Sequence, residues 1–166
     1  MSEKTRKIWN GVTTGFVVLV LLLTAMVAGP QLLGLQVYTV RSGSMEPAYK
    51  TGSLIYVKPV DDREIEAGQV ITFRLNDRTV VTHRVIQVVD DGGIGYQTKG
   101  DANNIADGKL VRPEDVLGTP VCTIPGLGYV ASFIKSPAGA CISAAVACVL
   151  VAAVLLPDLL RDFKRK

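Results

Sequence analysis

The chain has 166 residues, 48% of them hydrophobic, a mean hydropathy of +0.32 and a formal charge of +3. Its charge is concentrated at the ends: 7 basic and 3 acidic residues flank two uncharged runs and leave 11 basic and 12 acidic residues between them, so the middle segment lacks the basic surface that nucleic-acid binding needs. With one histidine, and only Cys122 of the three cysteines outside the apolar runs, the middle segment is also denied a usual zinc site and an internal disulfide.

In chain order, residues 1–10 are a basic flank carrying Lys4, Arg6 and Lys7. No charge interrupts residues 8–40, a run longer than the ~20 apolar residues that cross a bilayer, and residues 11–28 are predicted as a transmembrane helix. A cleavable secretory signal is the rival reading, but the uncharged stretch exceeds the ~7 to 15 residues of a usual signal core, which favours an uncleaved anchor. Gly29-Pro30 is predicted to end this helix. Leu35, Val37 and Thr39 then alternate in a β-favourable composition and deliver a polar turn, Ser42-Gly43-Ser44-Met45-Glu46-Pro47. Further strands are predicted at 54–57, 69–74, 79–89, 95–98 and 116–124. They are separated by a turn at 51–53, a charged loop at 61–68, a hairpin turn at 76–78, a turn at 90–93 and a polar loop at 100–108. No helical period lasts beyond a turn or two, so residues 35–128 are expected to form one mainly β domain of sandwich or barrel kind. Residues 129–135 read as an interfacial turn, residues 138–156 as a second transmembrane helix whose Gly139 and Ser143 allow close packing, and residues 157–166 as a basic tail. The fold class is therefore a mainly β domain flanked by two transmembrane α-helices. The positive-inside bias places both termini in the cytoplasm and the middle domain on the opposite side, as expected of a multi-pass membrane protein.

Within the middle domain, Gly43 lets the backbone turn sharply beside Ser44, which makes that hydroxyl a candidate nucleophile; it needs a base to remove its proton. His83 is the single histidine and so the one conventional base on offer. A carboxylate behind an imidazole fixes its tautomer, and the glycine-bounded loop offers two, Asp101 and Asp107. The same loop read as oxygen ligands for calcium misses the EF-hand spacing.

Taken together, Ser42-Gly43-Ser44-Met45-Glu46-Pro47, Thr82-His83-Arg84-Val85 and Lys99-Gly100-Asp101 through Asp107, in that order and spacing, resemble the type I signal peptidases, specifically the serine/histidine branch found in archaea, the endoplasmic reticulum and some bacteria. The resemblance covers residues 37–128 and implies a signal-peptidase-like β fold and a serine endopeptidase that removes signal peptides from secreted preproteins. By position it implies Ser44 as nucleophile, His83 as general base, Asp107 as the triad carboxylate and Asp101 as a second acidic position. It further implies Ser42 and the Ser44 amide as the oxyanion hole. No metal or other cofactor is implied. The implied partners are signal-peptide-bearing preproteins, the lipid bilayer of the cell membrane or endoplasmic reticulum, and further membrane subunits if the chain works in a complex. One departure is Thr51-Gly52-Ser53, with serine where the family commonly has aspartate. Two other readings compete: a membrane-tethered β domain that scaffolds exported proteins without cleaving them, and a serine/lysine protease using Lys50, Lys58 or Lys99.

Overall fold

The computed structural model describes residues 3–61, 64–90 and 92–165, with the side chains of residues 6, 27, 28 and 154–165 excepted. Met1, Ser2, loop residues Asp62 and Arg63, turn residue Asp91, Lys166 and the side chains of the basic tail therefore lie outside the described residues. The chain forms two compact units, one joining residues 3–29 with 132–165, the other spanning Pro30–Ala131.

The first unit is helical. Helix α1 (Glu3–Leu32) contains a stretch, Glu3–Met26, long and apolar enough to cross a membrane. Its Thr13 and Thr24 hydroxyls donate back to the carbonyls of Trp9 and Val20 at 2.9 and 2.8 Å, which satisfies both polar groups within the helix. The helix passes the predicted stop at Gly29-Pro30. It ends instead in a Schellman cap: Gly34 takes φ +76, its N–H donates to Gln31 O, and Leu35 N–H donates to Pro30 O. A left-handed residue is needed to close that motif, and glycine adopts it without strain, so Gly34 sets the boundary.

The predicted turn at 129–135 is instead a helix, α2 (Leu127–Lys135), which meets α3 (Pro137–Arg165) at a break of 92°. The break follows from Ser136-Pro137. Proline disfavours helical backbone in the residue before it, and Ser136 caps α3 by accepting the Gly139 N–H on Oγ at 3.0 Å. Only α1 qualifies alone as a membrane-crossing helix among the described residues; α2 and α3 qualify only as a bent pair, a broken span or a re-entrant element.

The second unit is mainly β. Strands β1 (Gln36–Thr39), β2 (Leu54–Lys58), β3 (Val70–Asn76), β4 (Thr79–Asp90), β5 (Ile94–Lys99) and β6 (Val116–Ile124) form one antiparallel sheet in the order β1-β2-β6-β3-β4-β5. The order is linear, with β1 and β5 at its ends. Strand β6 pairs with β2 from Thr119 to Ile124 and with β3 at Val116 and Gly118, joining two smaller groups of strands. Ile71, Phe73, Val85, Tyr96, Ile65 and Val111 form the core of the β3-β4-β5 side. Burying each large apolar side chain there contributes about 1.5–3 kcal/mol. Strand β2 is buried at four consecutive residues, Leu54 to Val57, the pattern of a strand covered on both faces.

Candidate active site

Ser44 follows β1 and lies in a run of turns that ends before β2. The turn is held from within: Glu46 N–H donates to Gly43 O at 3.0 Å, while Glu46 Oε1 accepts from Thr51 N–H at 3.2 Å and the Thr51 hydroxyl at 3.1 Å. Met45, 2% exposed, anchors the turn in the interior, so Ser44 sits beside a fixed apolar residue rather than on a free loop.

His83 lies in β4, where side chains alternate between faces, and shares the core face with Val85 while Arg84 points the opposite way. The residue is 7% exposed, and its ring stands edge-on to Phe73 with centroids 6.3 Å apart. Nδ1 lies 2.7 Å from Asp107 Oδ2 and Nε2 lies 3.2 Å from Ser44 Oγ. An ionised carboxylate can only accept, which assigns the ring proton to Nδ1 and leaves Nε2 free to accept the Ser44 hydroxyl proton. Ser42 Oγ lies 3.3 Å from Ser44 Oγ; with the Ser44 proton directed at His83, Ser42 is the donor in that pair. The hydrogen-bond partners of the Ser44 hydroxyl among the described residues are thus His83 and Ser42, and no lysine is among them.

The two loop carboxylates have separate surroundings. Asp107 is drawn onto β5: its N–H donates to Thr98 O at 2.8 Å, its carbonyl accepts from Gln97 Nε2 at 2.6 Å, and its Oδ2 accepts from both His83 and the Thr98 hydroxyl, the latter at 2.6 Å. Asp101 instead takes a bidentate pair from Arg84, Nε to Oδ1 at 2.8 Å and Nη2 to Oδ2 at 2.7 Å, with Arg84 Nη1 also donating to Gly68 O at 2.8 Å. The Arg84 hydrogen bonds hold the Asp101 carboxyl below the usual aspartate range, against the opposing effect of burial. Adjacent residues of one strand therefore serve two carboxylates, one on each face.

This loop also touches the serine directly. Ala102 N–H donates to Ser44 O at 2.8 Å, and a Cβ added to Gly100 would come 2.6 Å from the same carbonyl oxygen. Close approach of loop and turn thus requires glycine at position 100. The structure brings together Ser44, His83, Asp107 and Ser42, and sets Asp101 one hydrogen-bonded step away. Arg84, Thr98, Glu46 and Gly100 had no role assigned from sequence. Arg84 carried a usable signal as the neighbour of the single histidine; Thr98 carried none, because threonine in a strand is ordinary β composition.

Comparison with known proteins fits this geometry. A model described as Peptidase S24-like matches residues 26–98, which include Ser44 and His83 and end before both aspartates. Signal peptidase I W of Bacillus subtilis (strain 168) is 44% identical over 89 residues, covering 52% of this chain and 47% of that protein. The signal peptidase complex catalytic subunit SEC11C of Homo sapiens is 35% identical over 104 residues, 57% of this chain and 54% of its own. The signal peptidase complex catalytic subunit sec11 of Dictyostelium discoideum is 30% identical over 104 residues, 57% and 58% of the two chains. The chain spans about half the length of the curated relatives it matches.

Proposed function

Because the chain is a relative of the type I signal peptidases of the serine/histidine branch, we propose that it is a membrane-bound serine endopeptidase that removes N-terminal signal peptides from secreted preproteins. The observation that carries this reading is the continuous hydrogen-bonded series Ser44–His83–Asp107. In the proposed reaction His83 Nε2 takes the Ser44 proton as Ser44 Oγ attacks the peptide carbonyl. The Asp107 carboxylate stabilises the imidazolium that forms, and His83 then returns the proton to the leaving amine. Water, activated by the same histidine, hydrolyses the acyl-enzyme. The Ser44 N–H and the Ser42 hydroxyl are the proposed donors to the oxyanion, where one such donor is worth about 2.7–4 kcal/mol of transition-state stabilisation.

The membrane arrangement belongs to the same proposal. Residues 11–28 and 138–156 are the two spans, residues 35–128 the extracytoplasmic peptidase domain, and residues 1–10 and 157–166 the cytoplasmic flanks. Substrate arrives as a membrane helix whose cleavage site is extended at the outer face, where a tethered serine meets it. Further membrane subunits are proposed partners, because the SEC11C relatives are catalytic subunits of a signal peptidase complex.

The test is processing of a preprotein by the full chain in sealed vesicles. The parent is expected to release mature protein, and Ser44→Ala to release none above background. Processing by Ser44→Ala at the parental rate would overturn the assignment. Protease added from the cytoplasmic side should trim both flanks and spare the middle domain; a C-terminal flank resistant on that side would remove the second span from the proposal.

A further inference from the structure

Thr98 lies in β5 opposite Val85 of β4, and cross-strand partners project to the same face, which is also the His83 face. Thr98 is fully buried, at 0% exposure, beside a histidine side chain that is itself 9% exposed. A hydroxyl in such a place needs a partner, and it finds Asp107 Oδ2 at 2.6 Å, the same oxygen that accepts His83 Nδ1–H at 2.7 Å. Thr98 also holds the backbone of that residue, since its carbonyl accepts the Asp107 N–H at 2.8 Å. One residue therefore fixes the Asp107 main chain and carboxylate together. The Asp107 side chain remains 27% exposed, so without the Thr98 hydroxyl, water would compete for its oxygens and its rotamer would be set by the histidine alone.

We propose that Thr98 is a positioning residue for the reaction: its hydroxyl aims Asp107 Oδ2 at His83 Nδ1 and thereby keeps the imidazole in the Nδ1–H tautomer that can accept the Ser44 proton. This rests on the peptidase reading for its consequence in turnover, but the tautomer it concerns is measurable without turnover. Neutral imidazole can carry its proton on either nitrogen, and only the hydrogen bond at Nδ1 selects between them. A proton on Nε2 faces Ser44 Oγ as a donor and removes the base from the reaction.

The single histidine makes the test direct. The full chain, labelled with ¹⁵N-histidine and held in lipid nanodiscs, gives one imidazole whose two nitrogen shifts report the tautomer. The same preparations are assayed on a preprotein. In the parent and in Thr98→Ser the Nδ1–H form is expected to dominate. In Thr98→Val a large Nε2–H population is expected, with kcat lower by about 10- to 100-fold and KM unchanged, short of the ~10⁴-fold cost of replacing a triad carboxylate itself. Should Thr98→Val not fold, Thr98→Ala carries the same expectation. A parental tautomer in Thr98→Val or Thr98→Ala overturns the proposal whatever the rates. So does a shifted tautomer with parental kcat in a cleaving enzyme, and so does Thr98→Ser behaving like Thr98→Val, which would show that keeping the hydroxyl does not keep the tautomer. If the parent does not cleave, or Ser44→Ala cleaves equally, the peptidase reading fails while the spectra still decide the role of Thr98.

Discussion

Asp101 and Asp107 are six residues apart in one loop, yet their partners give them different work. Asp107 faces an imidazole, so Asp107→Asn replaces an obligate acceptor with a group that can also donate, and His83 loses its reason to carry the proton on Nδ1. We expect kcat to fall on the order of 10³- to 10⁴-fold with the fold intact, measured by preprotein cleavage alongside circular dichroism. Asp101 faces a guanidinium, and its loss acts on the turn that carries Ala102 to the Ser44 carbonyl. Asp101→Asn should lower turnover less than Asp107→Asn and lower stability by about 1 kcal/mol, a modest figure because the Arg84 side chain is 37% exposed. The sign with pH follows from the lowered carboxyl of Asp101. Its contribution is complete above the ordinary aspartate range, near ~4, and is lost as pH falls through the folded-state value. The parent should therefore lose more of its Tm on acidification from about pH 6 to 3 than Asp101→Asn does. An equal loss in both proteins would remove this pair from the acid response.

At the scale of elements, the loop between β5 and the short 3₁₀ turn Pro113–Asp115 is a spacer whose shape depends on two closures, Asp107 N–H to Thr98 O and Ala102 N–H to Ser44 O. Gly100→Ala tests the second. Asn103, 2.8 Å from the added Cβ, is a side chain that can swing away, but the Ser44 carbonyl can move only with the nucleophile. A loss of about 1–3 kcal/mol is expected, seen as a lower Tm, with a disproportionate loss of cleavage in the protein that remains folded. Parental activity at parental Tm would mean that the loop is free to shift. Strands were legible in the sequence because their boundaries are written in turn residues: the predicted 116–124 coincides with β6, and the 76–78 hairpin separates β3 from β4. Helix ends were less so. Pro30 fits within the last turn of α1 because the cap at Gly34 decides where that turn closes, and the α2–α3 break was available in Ser136-Pro137 but hidden inside an apolar composition. The candidate nucleophile and base could be named because each is chemically scarce, one serine turn and one histidine. The residues alone left the choice between carboxylates open, since it depends on which face of β4 the loop reaches and no residue spacing encodes that; only the family resemblance pointed to Asp107, the carboxylate that lies on His83.

Over the whole molecule, the helical unit carries its own long-range contact, Trp9 Nε1–H to Ala153 O at 3.2 Å, while the β unit carries the site complete within Pro30–Ala131. Inside that unit the serine and the histidine belong to different strand groups. Ser44 sits between β1 and β2, His83 on β4, and the strand that pairs with both groups, β6, comes after all the others in the chain. Synthesis runs from the N-terminus, so the nucleophile and the base both leave the ribosome before the strand that seats them side by side. The proposed peptidase is thus expected to be born without a working centre and to acquire one when its final strand is inserted. Cleavage would then itself report that the domain has been finished. Chains truncated just short of residue 116 and released should be digested readily and leave a preprotein uncut, and chains truncated well past residue 124 and released should resist digestion and cut. Equal activity at both lengths would mean that the loop contacts at Ser44 assemble the centre without β6.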